Sequence, residues 1–246
     1  MIGRSGNPTL KEKTFENNGY YNGQETMTVG GTVNKSFITL ALLVGAAVIS
    51  WTMFFNYYNM YPYMIGGVIC GLILALIISF KPSTAPFLTP IYAIAEGFFL
   101  GALSANYEYV YHGITLQAAL LTMCVFMGIL IAYKTGLVKA TEGFKRGVFA
   151  ATAGVALVYL ISMVLRLFGI TVPYLHDSTP IGIGISVVIC IIAALNFVLD
   201  FNFIEKGAQQ GAPKYMEWYG AFGLMVTLVW LYVEILRLLS KIASRD

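Results

Sequence analysis

The sequence predicts an integral membrane protein of the all-α class, with seven transmembrane helices and almost no extramembrane domain. Hydrophobic residues make up 58% of the 246 residues and charged residues only 11%. The mean hydropathy is +0.74. A soluble domain of this length needs more charge to cover its surface, so composition alone disfavours an ordinary soluble fold.

Seven apolar runs predict the seven helices, because about 20 apolar residues cross the ~30 Å of hydrocarbon in a bilayer. None of the runs alternates between apolar and polar residues, which disfavours a transmembrane β-barrel, the rival membrane architecture. The connections between them are short, so residues 37–246 are predicted to form one bundle. The runs are Phe37–Phe55, Tyr63–Phe80, Pro86–Leu103, Leu116–Tyr133, Val148–Phe168, Ile181–Ile204 and Trp218–Leu239.

Residues 1–36 differ from the rest of the chain. They hold Gly, Asn, Thr and charged residues, and too few apolar residues to bury a core. We therefore expect a mobile, disordered N-terminal tail. We expect no cleavable signal peptide, because no apolar segment follows Met1 closely.

The distribution of basic residues predicts the orientation, because cytoplasmic loops carry an excess of Lys and Arg. The tail and every second loop hold eleven of the fifteen basic residues, whereas the loops 56–62, 104–115 and 169–180 hold none. The N-terminus is thus predicted to be cytoplasmic and the C-terminus external. Lys241 and Arg245 at the external end go against the rule, which leaves open a last helix that re-enters and returns the C-terminus to the cytoplasm.

Charged residues inside the apolar runs are the best functional pointers, because such residues usually face the bundle interior or a water-filled path. There are five, namely Glu96, Arg166, Asp200, Glu234 and Arg237. Arg166, Glu234 and Arg237 fall near the outer ends of their helices, where arginines can snorkel to the interface. We predict that these three form an outer ion-pair cluster between helices, with a purely structural role as the simpler interpretation.

Glu96 and Asp200 have no basic residue predicted at the same depth. Glu96 lies about 15 Å into its run, near the midplane. Asp200 lies toward the cytoplasmic end of the sixth run, with Asn196 and Asn202 beside it in sequence. We predict that these groups handle ions or protons; the alternative is a neutral carboxyl group that hydrogen-bonds across helices.

Other residue types give weaker signals. The pairs Gly67-x-x-x-Gly71 and Gly97-x-x-x-Gly101 permit close helix packing and are interpreted as structural. The cysteines Cys70, Cys124 and Cys190 lie inside apolar runs without metal-binding spacing, so we interpret them as small packing residues. His112 and His176 stand alone in loops and are expected to be solvated rather than metal ligands.

No catalytic motif is recognisable. The chain has no H-E-x-x-H, G-x-S-x-G or Walker sequence, and no Ser/His/Asp set suggests itself. We therefore expect no enzymatic activity. We expect no resident cofactor and at most transient calcium binding.

The last two runs carry a family resemblance. The stretch Asn196-Phe-Val-Leu-Asp200-Phe-Asn202-Phe-Ile-Glu205-Lys206 resembles the sixth helix of the Bax inhibitor-1 or YccA-like family, also called the transmembrane Bax inhibitor motif family. Residues 221–237, ending in Leu236-Arg237, resemble its seventh helix, and residues 96–101 its third helix. Met27-Thr28 and the segment 33–35 are similar to a bacterial branch.

The resemblance implies a seven-helix fold with the last helix central. It also implies a cation leak path, chiefly for calcium, gated by two aspartates that share a proton, one on helix six and one on helix seven. Asp200 matches the first aspartate. The position of the second is occupied by Thr227, a departure from the pattern that leaves Glu96 as the candidate for the missing carboxylate. Thr227, Asn196 and Asn202 are therefore predicted to handle ions or protons together with Asp200 and Glu96.

Two functions follow as hypotheses. The first is a membrane ion-homeostasis protein, a pH-sensitive cation leak channel that works through the carboxyl groups of the bundle. The alternative is a non-conducting regulator that binds a membrane-bound protease or another membrane protein. In either case we expect a monomer or weak oligomer in the bacterial cytoplasmic membrane, with no nucleic-acid partner.

Overall fold

The computed structural model describes residues 25–56, 59–170, 172, 175 and 177–245, and these residues form a helical bundle. A 3-10 turn, Pro82–Thr84, links the second and third helices. The described chain contains seven helices, each long and apolar enough to cross a membrane, which confirms the predicted all-α, seven-span fold. They are α1 (Val29–Phe55), α2 (Tyr61–Phe80), α3 (Ala85–Val110), α4 (Ile114–Lys134), α5 (Glu142–Leu167), α6 (Pro180–Gln209) and α7 (Met216–Ala243).

Helix α7 lies at the centre of the bundle. It packs against α1, α3, α4 and α6, and it is buried over a larger share of its apolar window than any other described span. Outer helices instead expose apolar side chains such as Ile69, Leu120 and Leu160. Such side chains can contact lipid tails, which are equally apolar. The predicted central position of the last helix is confirmed.

Helix α1 begins at Val29, about two turns before the predicted start at Phe37. Its first residue is set by Thr28, whose side-chain oxygen accepts a hydrogen bond from the Gly31 N–H at 2.9 Å. The polar residues 34–36 made this stretch resemble a tail, yet they belong to the helix. Residues 29–36 are therefore part of the bundle, whereas residues 1–24 of the predicted tail lie outside the described residues.

Helix α7 runs without a break from Met216 to Ala243, so it crosses the bundle instead of re-entering. The alternative of a re-entrant last helix is wrong. We call the end of the bundle where α1 begins the N-terminal face, and the end where α7 finishes the C-terminal face. Which face meets the cytoplasm stays a prediction.

The glycine pairs mark the closest helix contacts. A Cβ atom at Gly101 would lie 2.1 Å from the Ala47 carbonyl oxygen, and one at Gly97 would lie 2.4 Å from the Leu43 carbonyl oxygen. The backbones of α1 and α3 thus approach each other at positions that only glycine fits. In α2, Gly67 lies against the Ala95 carbonyl oxygen of α3 and Gly71 lies against the Glu96 side chain of α3, so both motifs occupy close helix contacts, as the structural interpretation expects.

Candidate functional site

Asp200 lies in the interface between α6 and α7, completely buried at 0% exposure. The Thr227 hydroxyl on α7, 2% exposed, donates a hydrogen bond to Asp200 Oδ2 at 2.6 Å. On either side of Asp200 along α6, Phe197 and Phe203 belong to two hydrophobic clusters that fill the bundle. The predicted meeting of Asp200 and Thr227 is confirmed, and in this conformation it is embedded in packed side chains.

Glu96 lies in a different interface, between α2 and α3. Its carboxylate lies against Gly71 of α2, where a Cβ atom would come within 2.6 Å of Glu96 Oε1. The Tyr92 hydroxyl, one turn earlier in α3, is directed at the same carboxylate as a hydrogen-bond donor. Glu96 therefore belongs to the interface between α2 and α3. Its described contacts, with Gly71 and Tyr92, are not those of a carboxylate that shares a proton with Asp200.

Asn196 and Asn202 each face a helix other than α7. The Asn196 amide donates to Thr152 Oγ1 of α5 and to the Ile192 carbonyl oxygen of its own helix, both at 2.8 Å. The Asn202 amide donates to the Tyr133 hydroxyl of α4 at 3.4 Å. Residues two apart on a helix do not share a face, so Asn202 flanks Asp200 in sequence only.

The five residues predicted to handle ions or protons are thus spread over four helix interfaces. A hydrogen bond joins Asp200 and Thr227. Glu96, Asn196 and Asn202 make their described contacts with other helices, and a role of these three residues in handling ions or protons stays a prediction. Hydropathy and spacing identify which residues are polar and buried, but not which neighbouring helix each one faces.

The outer cluster is built differently from the predicted inter-helix ion pair. Arg237 Nη1 lies 3.3 Å from Glu234 Oε1, and both residues belong to α7. The link between helices comes from Tyr159 of α5. Its hydroxyl donates to Glu234 Oε1 at 2.8 Å and accepts from Arg237 Nη1 at 2.7 Å. Arg166 is exposed near the end of α5 and shares a cavity with Arg237, as expected of a snorkelling arginine.

A second buried carboxylate on α7 was not identified from the sequence. Glu217, at 0% exposure, accepts hydrogen bonds from the Thr28 N–H and the Thr28 hydroxyl, each at 2.9 Å. Lys35 of α1 forms an ion pair with it, and Lys214 Nζ lies 3.4 Å from its Oε1. We call this group of Thr28, Lys35, Lys214 and Glu217 the N-terminal clasp.

Backbone contacts reinforce the clasp. The Met27 N–H donates to the Ala212 carbonyl oxygen at 2.7 Å, and Thr26 forms an isolated antiparallel bridge with Pro213. The strand-like segment before α1 is thereby fixed across the turn between α6 and α7. A threonine in an N-cap position was the one sequence signal that could have placed the start of α1 here.

Groups of three or more His, Cys, Asp or Glu residues that could hold a metal ion are absent from the described part of the chain. His112 lies in the turn between α3 and α4, and His176 falls outside the described residues. The site therefore consists of a buried carboxyl group, Asp200, that is hydrogen-bonded to the central helix of a seven-helix membrane bundle. A family model described as Bax inhibitor 1 like matches residues 7–244 of the chain.

The chain belongs to the Bax inhibitor 1 like family. The family predicted from the sequence is confirmed, while its bacterial branch stays a prediction. No curated protein and no solved structure gives a significant match. In this Bax inhibitor 1 like protein the hydrogen bond between Asp200 and α7 is donated by a hydroxyl group, which can donate but cannot ionise near neutral pH.

Proposed function

We propose that this Bax inhibitor 1 like protein is a membrane ion-homeostasis protein, a pH-sensitive leak path for cations, calcium foremost, controlled by Asp200. The observation that supports the proposal is the buried Asp200–Thr227 hydrogen bond between α6 and the central helix. Hard divalent cations prefer carboxylate and carbonyl oxygen ligands. A carboxyl group in the helix interface is therefore suited both to hold the helices together and to meet a passing cation.

The packed interface corresponds to the closed form in this proposal. With its proton in place, Asp200 is neutral and remains in the α6–α7 interface at little electrostatic cost. Loss of the proton puts a charge among apolar side chains, which is costly unless water or a cation reaches it. Ionisation therefore favours separation of α6 from α7, and the leak is expected to rise as pH rises.

The same proposal places the N-terminal face in the cytoplasm and the protein in a bacterial inner membrane. The excess of basic residues on the tail and alternate loops supports this orientation. An alkaline phosphatase fused after residue 245 is expected to be active, because the enzyme folds only outside the cytoplasm. An inactive but intact fusion would contradict the orientation and leave the fold unaffected.

A second candidate is a non-conducting regulator that binds a membrane-bound protease or another membrane protein. The packing around Asp200 favours it, since Asp200 is completely buried and Thr227 nearly so. The two candidates share the fold and differ in whether the purified protein moves ions. Neither requires enzymatic activity of the chain.

Calcium flux into proteoliposomes, measured from pH 6 to pH 8, separates them. Wild type is expected to conduct increasingly as pH rises, and Asp200→Asn, which keeps the shape and cannot ionise, is expected to show a flat, low flux. Glu205→Gln is the matched control, because it removes an exposed carboxylate from the same helix. A pH-dependent flux unchanged in Asp200→Asn would refute the role of Asp200. No flux in folded wild type at any pH would favour the regulator.

A further inference from the structure

A cavity of about 400 Å³ opens at the C-terminal face, far from Asp200. It lies between the ends of α3, α5 and α7 and the loop that precedes α6. Three cationic side chains line it, namely Arg166, Arg237 and Lys241. The remaining lining residues in the described part of the chain are hydroxyl-bearing, two tyrosines (Tyr107 and Tyr111) and three serines, and none is acidic.

The three cations are held in different ways. Lys241 is 4% exposed, and its ammonium group donates to the Leu175 and Gly182 carbonyl oxygens and to the Ser186 hydroxyl, at 2.8, 3.1 and 2.8 Å. All three acceptors are neutral, so these bonds fix the ammonium group without cancelling its charge. Arg237 is paired with Glu234.

Arg166 differs from both, because no ion pair or hydrogen bond holds its exposed guanidinium group within the described residues. Among the described residues, the carboxylates of Glu234 and Asp177 lie near Lys241. Glu234 is buried and engaged by Tyr159 and Arg237, and Asp177 is exposed on the loop before α6. The cavity therefore combines a net positive lining with a free guanidinium fork at its edge.

We propose that this cavity binds a phosphate group. A planar guanidinium matches two phosphate oxygens at once, and hydroxyl groups can donate to the others. Tyr111 directly follows α3 and Arg166 lies in the last turn of α5, so the site lies where the spans end and lipid headgroups begin. A headgroup phosphate of an anionic phospholipid and a free phosphate ion share this chemistry.

Contacts within the protein position Arg237 and Lys241 before any ligand arrives. Tyr159 braces Arg237 from α5, and Lys241 joins the end of α7 to the start of α6. The hydroxyl groups of Ser178 and Ser244 are 2.5 Å apart, which joins the loop before α6 to the turn after α7. Arg237 and Lys241 therefore need little ordering on binding, which reduces its entropic cost.

The test uses the full-length protein purified in a non-ionic detergent. Its melting temperature is measured against increasing palmitoyl-oleoyl phosphatidylglycerol, against the zwitterionic phosphatidylcholine of the same chains, and against sodium phosphate relative to sodium chloride of equal ionic strength. The variants are Arg166→Gln and, as the matched control, Arg146→Gln, which removes an exposed arginine from the opposite end of the same helix. Arg166→Lys keeps the charge and loses the fork.

We expect phosphatidylglycerol to stabilise wild type more than phosphatidylcholine does, with half-saturation shifted about tenfold by Arg166→Gln, the loss of one charge-assisted contact. Arg146→Gln should match wild type, and Arg166→Lys should fall between. Arg166-dependent stabilisation by sodium phosphate would support the site with free phosphate as its ligand. Equal effects of Arg166→Gln and Arg146→Gln, or no stabilisation by either phosphate source, would overturn the proposal.

Discussion

Gly31→Ala offers the sharpest test of the N-terminal clasp, because a single methyl group is directed at a buried charge. A Cβ atom at position 31 would lie 2.1 Å from Glu217 Oε1 and 2.3 Å from its carboxyl carbon. The neighbouring Gly30 has nothing within 4 Å of its corresponding position. The substitutions Gly31→Ala and Gly30→Ala therefore make the same chemical change in the same helix turn. The added methyl group meets the Glu217 carboxylate at position 31 and open space at position 30.

The expected cost follows from the bonds that hold Glu217. Its carboxylate must move by about 1.5 Å to restore ordinary van der Waals contact. Two hydrogen bonds from Thr28, each 2.9 Å long, oppose that movement, as does the ion pair with Lys35. Hydrogen bonds to a charged group contribute about 1.5–3 kcal/mol each. Partial loss of the two Thr28 hydrogen bonds in Gly31→Ala is therefore expected to lower the free energy of unfolding by about 2–4 kcal/mol. Gly30→Ala should be neutral or stabilising by up to about 1 kcal/mol.

Unfolding of the purified protein in mixed micelles, followed by tryptophan fluorescence, measures both variants. Lys35 lies over the Trp218 ring, 5.8 Å from its centroid, so one fluorophore reports directly on the clasp. A double-mutant cycle completes the test, since Gly31→Ala should cost little once Glu217→Ala has removed the carboxylate. Equal stability of Gly30→Ala and Gly31→Ala, or full additivity in the cycle, would refute the clasp as a stabilising contact.

Three further outcomes are expected. Thr227→Asp places a second carboxyl group beside the first, so the two titrate as a pair and the flux should depend more steeply on pH than in wild type; an unchanged flux-versus-pH curve counts against this. Gly101→Ala should lower the free energy of unfolding by about 1–3 kcal/mol through overpacking, whereas Gly128→Ala, with open space around it, should not. Tyr159→Phe should cost about 1–3 kcal/mol from lost hydrogen bonds; the exposed Tyr109→Phe serves as its control, and equal stability would contradict the bridging role.

The fold was predictable because a bilayer requires apolar runs of a fixed length in the sequence. Each span must be about 20 apolar residues long and must satisfy its backbone internally, and seven such runs leave few alternatives. The ends were harder to place, as α1 shows. Lys35 reduces the hydropathy of the first turns, yet it serves an ion pair with Glu217, a residue 182 positions later in the chain.

The candidate site was predictable only in part. Asp200 is recognisable from its charge within an apolar run, and the family pattern gave Thr227 as its neighbour. Glu96 is recognisable in the same way but is directed to α2, and hydropathy contains no information on which neighbouring helix a side chain faces. The Tyr159 bridge was missed because a neutral residue in an apolar run gives no charge signal, although its hydroxyl contacts both Glu234 and Arg237.

The three carboxyl groups on or against α7 differ in how their hydrogen bonds are made, and the difference bears on pH sensitivity. Glu217 at the N-terminal face is bonded by Lys35 and approached by Lys214, and Glu234 toward the C-terminal face is paired with Arg237. Those contacts join opposite charges, so both ends of the central helix are fixed by ionised groups. The hydrogen bond that holds Asp200 to the middle of α7 comes instead from a neutral hydroxyl group. In the proposed function, a change in the protonation of Asp200 would alter the charge of the α6–α7 interface between these two ends.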